Sequence, residues 1–541
     1  MVDTQREVER KFEFTSAGAE RRGVPGLTGT GPVAAVRDQG VAELDVVYYD
    51  TPGLRLAADG VTLRRRTGGT DAGWHLKLPV SPGVRDEIRA APGRALPRSL
   101  ARLVRSRTRD APLEPQLRVV TTRRTSHLLD ADGALLAQVC ADAVRAERRA
   151  PGGQDERAGH GRSAARSGGG DGGGDGGREV VTAAWTEVEV ELADGTDPAL
   201  LDAVARTFRE AGLRYSGAPS KFARALEATG AALPAAPSPQ PPQPAPGDGT
   251  AGAYVLAYLR EQRDVLIAQD PAVRRGLPDS VHQMRVACRR LRSAFATYGK
   301  VLDRAVTGPV GEELRRLAAE LGVDRDREVL LERLRTRLDE LPRTLRLGPV
   351  RRRLRRWDAD RAPASRRRVL AALDSPRHLR LLHSLDALLA DPPLLKAAAR
   401  PARPVLAKAV RRDRARLARR IAQALALPAG RERDLALHEA RKAAKRARYA
   451  AEAAVPALGG PAQRLAKAVK SVQTLLGDHR DGVVARTALR ALAVSAAGAG
   501  EPSFTWGVLH AREEALAALR EQELPELWAH VPDPSRRGLR G

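Results

Sequence analysis

The chain has 541 residues, 42% of them hydrophobic, and a formal charge of +26, which is enough length and apolar content for several packed domains and excludes an intrinsically disordered chain. The charge is unevenly placed: residues 251–541 hold 58 Lys and Arg against 33 Asp and Glu, a net of +25, which leaves 34 against 33, or +1, for residues 1–250 out of 92 and 66 in total. Two cysteines exclude a disulfide framework and a cysteine-rich zinc site, and no run nears the ~18 apolar residues of a membrane span, so a cytoplasmic protein with a polyanionic partner for its second half is expected.

Along the first half, residues 7–14 alternate, 41–49 are β-branched and aromatic, and 61–66, 74–80, 117–125, 135–141 and 180–192 follow at hairpin-like intervals, which predicts strands. Residues 100–107 and 198–211 read as short helices. The glycine-rich run at 151–178 reads as a flexible loop inserted between two strands. A proline-rich stretch at 229–252 reads as an extended linker. Beyond it the chain is Leu/Ala/Arg-rich with helical periodicity, and breaks are expected near Gly308, Pro342, Pro363, Pro392 and Gly459. Residues 526–541 are expected to form a basic tail.

Several strands of the first half carry one apolar and one charged face. With a period of two, Glu7, Glu9 and Lys11 share a face opposite Val8 and Phe12, and Glu187, Glu189 and Glu191 share one opposite Val188 and Val190. Arg64 pairs with Arg66, and His75 with Lys77, in the same way. Carboxylates and cations are segregated by strand, and a Glu-Val-Glu-Val-Glu run repels itself unless a cation sits among the carboxylates. A closed barrel with a charged interior would place those carboxylates around metal and the Arg and Lys around phosphate.

Taken in order, Glu7-x-Glu9-x-Lys11, Tyr48-Tyr49-Asp50-Thr51-Pro52, Leu63-Arg64-Arg65-Arg66, Lys77, Arg85-Asp86-Glu87, Arg124, Asp142, Glu187-Val188-Glu189 and Ser220-Lys221 resemble a CYTH domain, of the triphosphate tunnel metalloenzymes. The resemblance implies an antiparallel β tunnel with short helices over residues 1–228. It also implies Glu7, Glu9, Lys11, Glu187 and Glu189 as catalytic residues, and Glu7, Glu9, Asp142, Glu187 and Glu189 as ligands of Mg²⁺ or Mn²⁺, with Glu87 assisting. Lys11, Arg64, Arg66, Lys77, Arg124 and Lys221 would hold phosphate oxygens; Arg123 is the alternative to Arg124, on the other face of its strand. Glu191 matches a third acidic position of open role.

In the second half, His282, Arg285, Arg289 and Arg292 fall within roughly an 80° arc of a helix, with Met284, Ala287 and Leu291 facing away. The pattern returns 156 residues on (438 − 282) as His438, Arg441, Lys445 and Arg448, and Arg290 has its counterpart in Arg446. A trailing element follows each copy: Leu321-Gly322-Val323-Asp324-Arg325-Asp326 and Leu476-Gly477-Asp478-His479-Arg480-Asp481. This is a duplicated helical unit with a positive stripe.

These motifs resemble the two halves of a CHAD domain, an all-helical family that binds inorganic polyphosphate. The resemblance implies an all-α pair of helical bundles with pseudo-two-fold symmetry over residues 253–525, within an α+β multidomain chain. It would direct His282, Arg285, Arg289, Arg292, Arg325, His438, Arg441, Lys445, Arg448 and Arg480 at polyphosphate. Guanidinium forks match phosphate oxygens bidentately and stay charged, which agrees.

Together the two resemblances imply metal-dependent hydrolysis of inorganic tripolyphosphate or a related triphosphate in the tunnel, coupled to polyphosphate binding by the helical half. Two other readings stay open: a non-catalytic protein of polyphosphate granules, and adenylate cyclase-type chemistry in the tunnel. Nucleic acid is not the expected partner, because aromatics are only 3% of the chain and stacking platforms are scarce.

Overall fold

The computed structural model describes residues 3–69, 71–149, 180–231 and 249–533. The insertion expected at 151–178 and most of the linker expected at 229–252 lie outside the described residues. The chain divides into two compact units, Met1–Pro239 and Gln240–Gly541.

Among the described residues the first unit has nine strands: β1 Asp3–Phe14, β2 Ala35–Asp50, β3 Thr62–Thr67, β4 Gly73–Ser81, β5 Val84–Ala90, β6 Glu114–Leu129, β7 Leu135–Arg149, β8 Val180–Leu192 and β9 Leu213–Tyr215. The described helices that accompany them are α1 Ala17–Arg22, α2 Arg55–Ala58, α3 Arg98–Thr108, α4 Ala199–Glu210 and α5 Lys221–Ala228. The sheet order is β5-β4-β3-β2-β6-β7-β8-β1-β9, and β1 also pairs with β5, which closes eight strands into a ring. Every described pairing is antiparallel. The expected antiparallel β tunnel is therefore present.

Alternation along the strands turns the usual sheet inside out. On the outer face, Phe12, Val188 and Val190 pack with Val204 and Phe208 of α4, and Leu63, Trp74, Leu76 and Ile88 pack with Leu100, Leu103 and Val104 of α3. Phe12 anchors the first cluster, edge-on to Phe208 at 4.8 Å and stacked on Tyr215 at 5.1 Å. Each fully buried side chain of this size contributes about 1.5–3 kcal/mol, so helices outside the ring supply the apolar cover that leaves its interior free for charge. At one end the inward face turns apolar, and Phe222, Ala225 and Leu226 of α5 pack there against Val46, Tyr48, Leu117, Val119, Val144 and Ala146. Asp50, in the Tyr-Tyr-Asp-Thr-Pro motif, is fully buried and accepts backbone N–H bonds from Thr51, Leu56 and Ala57 at 2.7, 2.9 and 2.8 Å. It ties the end of β2 to the start of α2.

The second unit is helical: α6 Ala251–Arg275, α7 Ser280–Thr297, α8 Arg304–Asp339, α9 Val350–Ala359, α10 Ala362–Asp374, α11 Pro376–Ala390, α12 Ala402–Leu425, α13 Arg431–Leu458, α14 Gly460–Ala497 and α15 Phe504–Ala529. The duplication shows in the long helices, since α8 begins at Arg304 and α14 at Gly460, again 156 residues apart (460 − 304). Met284, Ala287 and Leu291 of α7 share one large core with Ala440, Ala443 and Ala447 of α13. A second core joins Leu331, Leu334 and Leu338 of α8 to Ala485, Leu489 and Leu492 of α14, with Trp506 of α15.

The break expected near Gly308 is absent. Asp303 caps α8 by accepting the N–H of Ala305 at 2.8 Å, and the helix runs on through Gly308 and Pro309. Proline forfeits one i→i−4 bond there, which the buried Val310, Leu314, Leu317 and Leu321 outweigh. The last helix continues to Ala529, past residue 525.

Candidate functional site

Inside the ring is a cavity of about 640 Å³. Cross-strand register assembles its wall: Glu9 lies opposite Glu191 and Lys11 opposite Glu189 on β8, while Glu7 lies opposite Arg85 on β5. Arg64 and Arg66 come from β3, Lys77 from β4, Arg85, Glu87 and Arg89 from β5, and Lys221 from the start of α5. The charges are interlocked. Lys77 Nζ reaches Glu7 at 2.6 Å, Arg85 reaches Glu9 at 3.4 Å, and Lys11 bridges Glu9, at 3.3 Å, and Glu189. Lys221 sits among Asp142, Glu187 and Glu189 at 2.6, 2.6 and 2.8 Å.

Most of the residues expected here converge, with corrections. Arg124 does not: it points out of the barrel and pairs with the exposed Asp38 at 2.7 Å. Arg123 takes its place on the cavity wall, bonded to Asp142 at 2.6 Å and Glu189 at 2.7 Å. Glu187 and Asp142 are buried behind the wall, where Glu187 accepts the indole N–H of Trp185 at 2.7 Å and both carboxylates hold Lys221. Arg85 and Arg89 line the cavity although sequence reasoning gives them no role, and Glu87, expected only to assist, lies on the same wall. His75 supports Glu87 from inside the wall, with Nδ1 3.0 Å from the carboxylate and Nε2 2.8 Å from the Asp71 carbonyl.

Packing so many charges shifts their protonation. Burial would raise Glu9, but Lys11 and Lys77 outweigh it and bring it down to about 2. Glu189 and Glu87 are likewise held well below the usual carboxylate range against burial, the first by Lys11, Lys221 and Arg123, the second by His75, Lys77 and Arg64. Glu191 behaves oppositely: burial and the nearby Glu7 push it up to about 7. Glu191 has no ion pair among the described residues, and it faces Glu9 directly. Two carboxylates so placed repel unless one keeps its proton or a cation lies between them. The donor oxygens of Asp142, Glu187 and Glu189 also lie within 4.8 Å of one another. Hard carboxylate oxygens grouped in this way suit Mg²⁺ or Mn²⁺.

The helical unit carries its own charged groove, about 520 Å³, lined by His282, Arg285 and Arg289 of α7, Arg325 of α8, His438, Arg441 and Lys445 of α13 and Arg480 of α14. Both stripes thus meet in one cleft. Arg285 is tied to Asp326 at 2.9 Å, whereas Arg289, Arg441, Lys445 and Arg480 have no ion pair among the described residues. Arg292 and Arg448 are corrections. Each lies seven residues, about 10 Å of helix, beyond Arg285 or Arg441, so Arg292 lines a different hollow and Arg448 is taken up by Glu452 at 2.8 Å.

The trailing glycines have a geometric reason. A Cβ at Gly322 would lie 3.1 Å from Arg285 Nη2, and one at Gly477 would lie 3.0 Å from Arg441 Nη2. Each glycine lets a guanidinium lie against the helix backbone, at a cost of about 1 kcal/mol relative to alanine in a helix interior. Gly477→Ala should therefore leave the unfolding free energy within about 1 kcal/mol of wild type. Displacement of Arg441 should also weaken the groove's hold on a polyanionic probe by about two- to fivefold. Denaturant unfolding and a binding titration on the same preparation check both halves, and unchanged affinity contradicts the positioning role.

The groove is short of compensating charge. Burial, with Arg441 and Arg289, lowers Lys445 to about 7, and burial, with Lys442 and Arg480, lowers His438 to about 4. A lysine lowered from 10.5 to about 7 binds fewer protons in the folded than in the unfolded chain between those values, so the free protein gains stability as pH rises through that window. A polyanion favours the charged form, so its affinity should run the other way and fall about tenfold from about pH 6 to about pH 8.5. Titration calorimetry in two buffers of different ionisation enthalpy should show proton uptake near pH 7; binding with no uptake contradicts this.

The family models for the CYTH domain and the CHAD domain match residues 5–226 and 257–490. Proteins from two strains of Mycobacterium tuberculosis, both described as uncharacterized, are each 39% identical over 526 residues, covering 96% of this chain and 94% of the relative. Among solved structures, PptA from Streptomyces chartreusis is similar at 22% identity and a TM-score of 0.44, covering 52% of this chain and 100% of that one. The CHAD domain from the plant Ricinus communis is similar at 25% identity and a TM-score of 0.42, covering 53% and 94%. A putative adenylyl cyclase from Hippeastrum, described as revealing a dominant triphosphatase activity, is similar at 19% identity and a TM-score of 0.24, covering 42% and 98%.

Proposed function

We propose that this chain, which belongs to the CYTH family over residues 5–226 and to the CHAD family over residues 257–490, hydrolyses inorganic tripolyphosphate or a related triphosphate in its tunnel and binds inorganic polyphosphate in its helical groove. The observation that carries this reading is the convergence of Glu7, Glu9, Lys11, Arg64, Arg66 and Lys77 on one cavity.

A triphosphate chain brings about four negative charges, and its transfer needs positioning and charge neutralisation more than covalent chemistry. Arg64, Arg66, Arg85, Arg89 and Arg123 offer planar forks to non-bridging oxygens, and Lys11 and Lys77 offer point charges on the carboxylate side. Glu7, Glu9, Glu189 and Glu191, backed by Asp142 and Glu187, would hold Mg²⁺ or Mn²⁺, which would supply positive charge to the phosphate chain and acidify a water. Lys11 and Lys221 neutralise Glu9, Glu189 and Asp142, and these carboxylates would serve as ligands only on parting from the two lysines. The α5 plug closes one end of the apolar stretch and aims Lys221 at the cavity.

An inorganic chain suits this wall better than a nucleoside triphosphate. Among the described residues Tyr48 is the one Phe, Tyr or Trp on the cavity wall, and its ring is already stacked on Phe222 at 4.8 Å. That leaves little ring surface on which a base could stack. The decisive assay measures orthophosphate released from tripolyphosphate with Mg²⁺ or Mn²⁺, beside a test for cyclic AMP and pyrophosphate from ATP. Cyclic AMP formation without orthophosphate release would replace the hydrolytic reading with the cyclase one.

A further inference from the structure

Arg292, which leaves the groove, enters a second hollow of about 570 Å³ between α7, α8, α12 and α13, where Arg304, Arg412, Arg416, Arg419 and Arg446 join it. Two carboxylates, Asp413 and Glu312, share that wall, and both are engaged. Asp413 is buried and accepts from Thr297 Oγ1 at 2.6 Å and Arg446 Nε at 3.0 Å, while Glu312 holds Arg315 at 2.6 Å. Arg304 and Arg446 also donate to the Ala296 carbonyl at 3.2 and 2.6 Å, and Arg412 donates to the Thr297 carbonyl. Carbonyls orient a guanidinium without cancelling its charge. Arg292, Arg416 and Arg419 have no ion pair among the described residues.

The duplication makes this excess informative. The counterparts of Arg446 and Arg292 are Arg290 and Arg448 (446 − 156 and 292 + 156), one on each copy of the unit, and Glu452 binds both, at 3.0 and 2.8 Å. The position equivalent to Glu452 is Ala296 (452 − 156). At one of these two related places a single glutamate neutralises both arginines; at the other alanine stands in its position, Asp413 takes up Arg446 alone, and Arg292 is left facing a cationic hollow without an ion pair among the described residues. Gly308 of α8 forms part of its floor, and a Cβ added there would meet nothing within 4 Å.

We propose that this hollow is an anion site in its own right that takes the oxyanions of a condensed phosphate, so that a long polyphosphate chain is held at two places on the helical unit. The identity of the ligand rests on the polyphosphate reading of the groove. Forked guanidinium groups fixed by backbone carbonyls match tetrahedral oxyanions. The hollow and the groove share the helices α7 and α13, with Arg289 lining one and Arg292 the other, three residues on.

The test is equilibrium binding of labelled long-chain polyphosphate to the full chain over a range of NaCl concentrations. Arg416→Ala/Arg419→Ala should weaken binding at least about fivefold and flatten the dependence of log K on log salt by about one to two. Gly308→Leu fills the hollow with no change of charge, at a helical position where leucine is favoured over glycine, and should weaken binding comparably. Arg289→Ala/Arg441→Ala, in the groove, is the reference, and circular dichroism verifies that each variant is folded. If the hollow variants bind like wild type while the groove pair binds weakly, the second site is refuted and the groove reading stands. If the groove pair also binds like wild type, both fail.

Discussion

Glu9→Ala lowers the rate of orthophosphate release from tripolyphosphate by about 10²–10³-fold, the loss that follows removal of one preorganised charge from a water-poor site. Glu9 is 7% exposed, held down to about 2 against burial by Lys11 and Lys77, and set opposite Glu191 across the β1–β8 pair. It is the carboxylate through which two strands share charge. Its removal leaves one side of Lys11 without its carboxylate and Arg85 with only the Pro219 carbonyl, so Glu9→Gln is the companion variant, keeping the shape and losing the charge. Both should lower kcat more than they raise KM, since a carboxylate does little to hold a polyanionic substrate. Arg124→Ala, outside the barrel, should keep wild-type activity, and a comparable loss there would overturn the assignment of the inward face.

The second large effect belongs to the helical unit. Arg289→Ala/Arg441→Ala should weaken long-chain polyphosphate binding by about 10²-fold or more, because each removes a charge-assisted hydrogen bond of about 1.5–3 kcal/mol. The salt dependence should become shallower by about one to two, as expected when two phosphate-binding cations are removed. A structural role predicts destabilisation, whereas these cations crowd one another: burial lowers Arg441, with Arg289 and Arg480 adding against the opposing Asp481, and burial lowers Lys445, with Arg441 and Arg289 adding. Relieving that repulsion should leave the thermal midpoint of the ligand-free protein equal or higher. A lower midpoint with unchanged salt slope would assign both arginines to packing instead.

The inward charged face was legible wherever charge and apolar residues alternate strictly. In β1 and β8 the alternate residues Phe12, Val188 and Val190 had to be covered, and the glutamates then had only the interior. At Thr121-Thr122-Arg123-Arg124-Thr125 no apolar residue marks either face, so the choice between two adjacent arginines depended on register with β7, where Arg123 lies opposite Asp142. Strand β5 is legible in sequence only as the motif Arg85-Asp86-Glu87 and not as a strand, for a related reason. It is charged on both faces, Arg85, Glu87 and Arg89 inward and Asp86 outward, where Asp86 pairs with Arg6 at 2.5 Å.

In the helical half, angle was legible but axial position was not. His282, Arg285 and Arg289 share the groove because they span two turns, whereas Arg292 lies at a similar angle one turn too far along. The break placed at Gly308 shows the limit of local propensity, since four buried residues of α8 carry the helix through a Gly-Pro pair.

Whether the tunnel is a site where a phosphate chain is cut is decided by orthophosphate release from the purified full chain, with Mg²⁺ or Mn²⁺, across tripolyphosphate, long-chain polyphosphate, ATP and thiamine triphosphate. The expected result is metal-dependent release, fastest on tripolyphosphate and lost on chelation. A wild-type protein that binds polyphosphate tightly but releases no orthophosphate from any of the four with either metal would contradict the hydrolytic reading and leave a binding protein in its place.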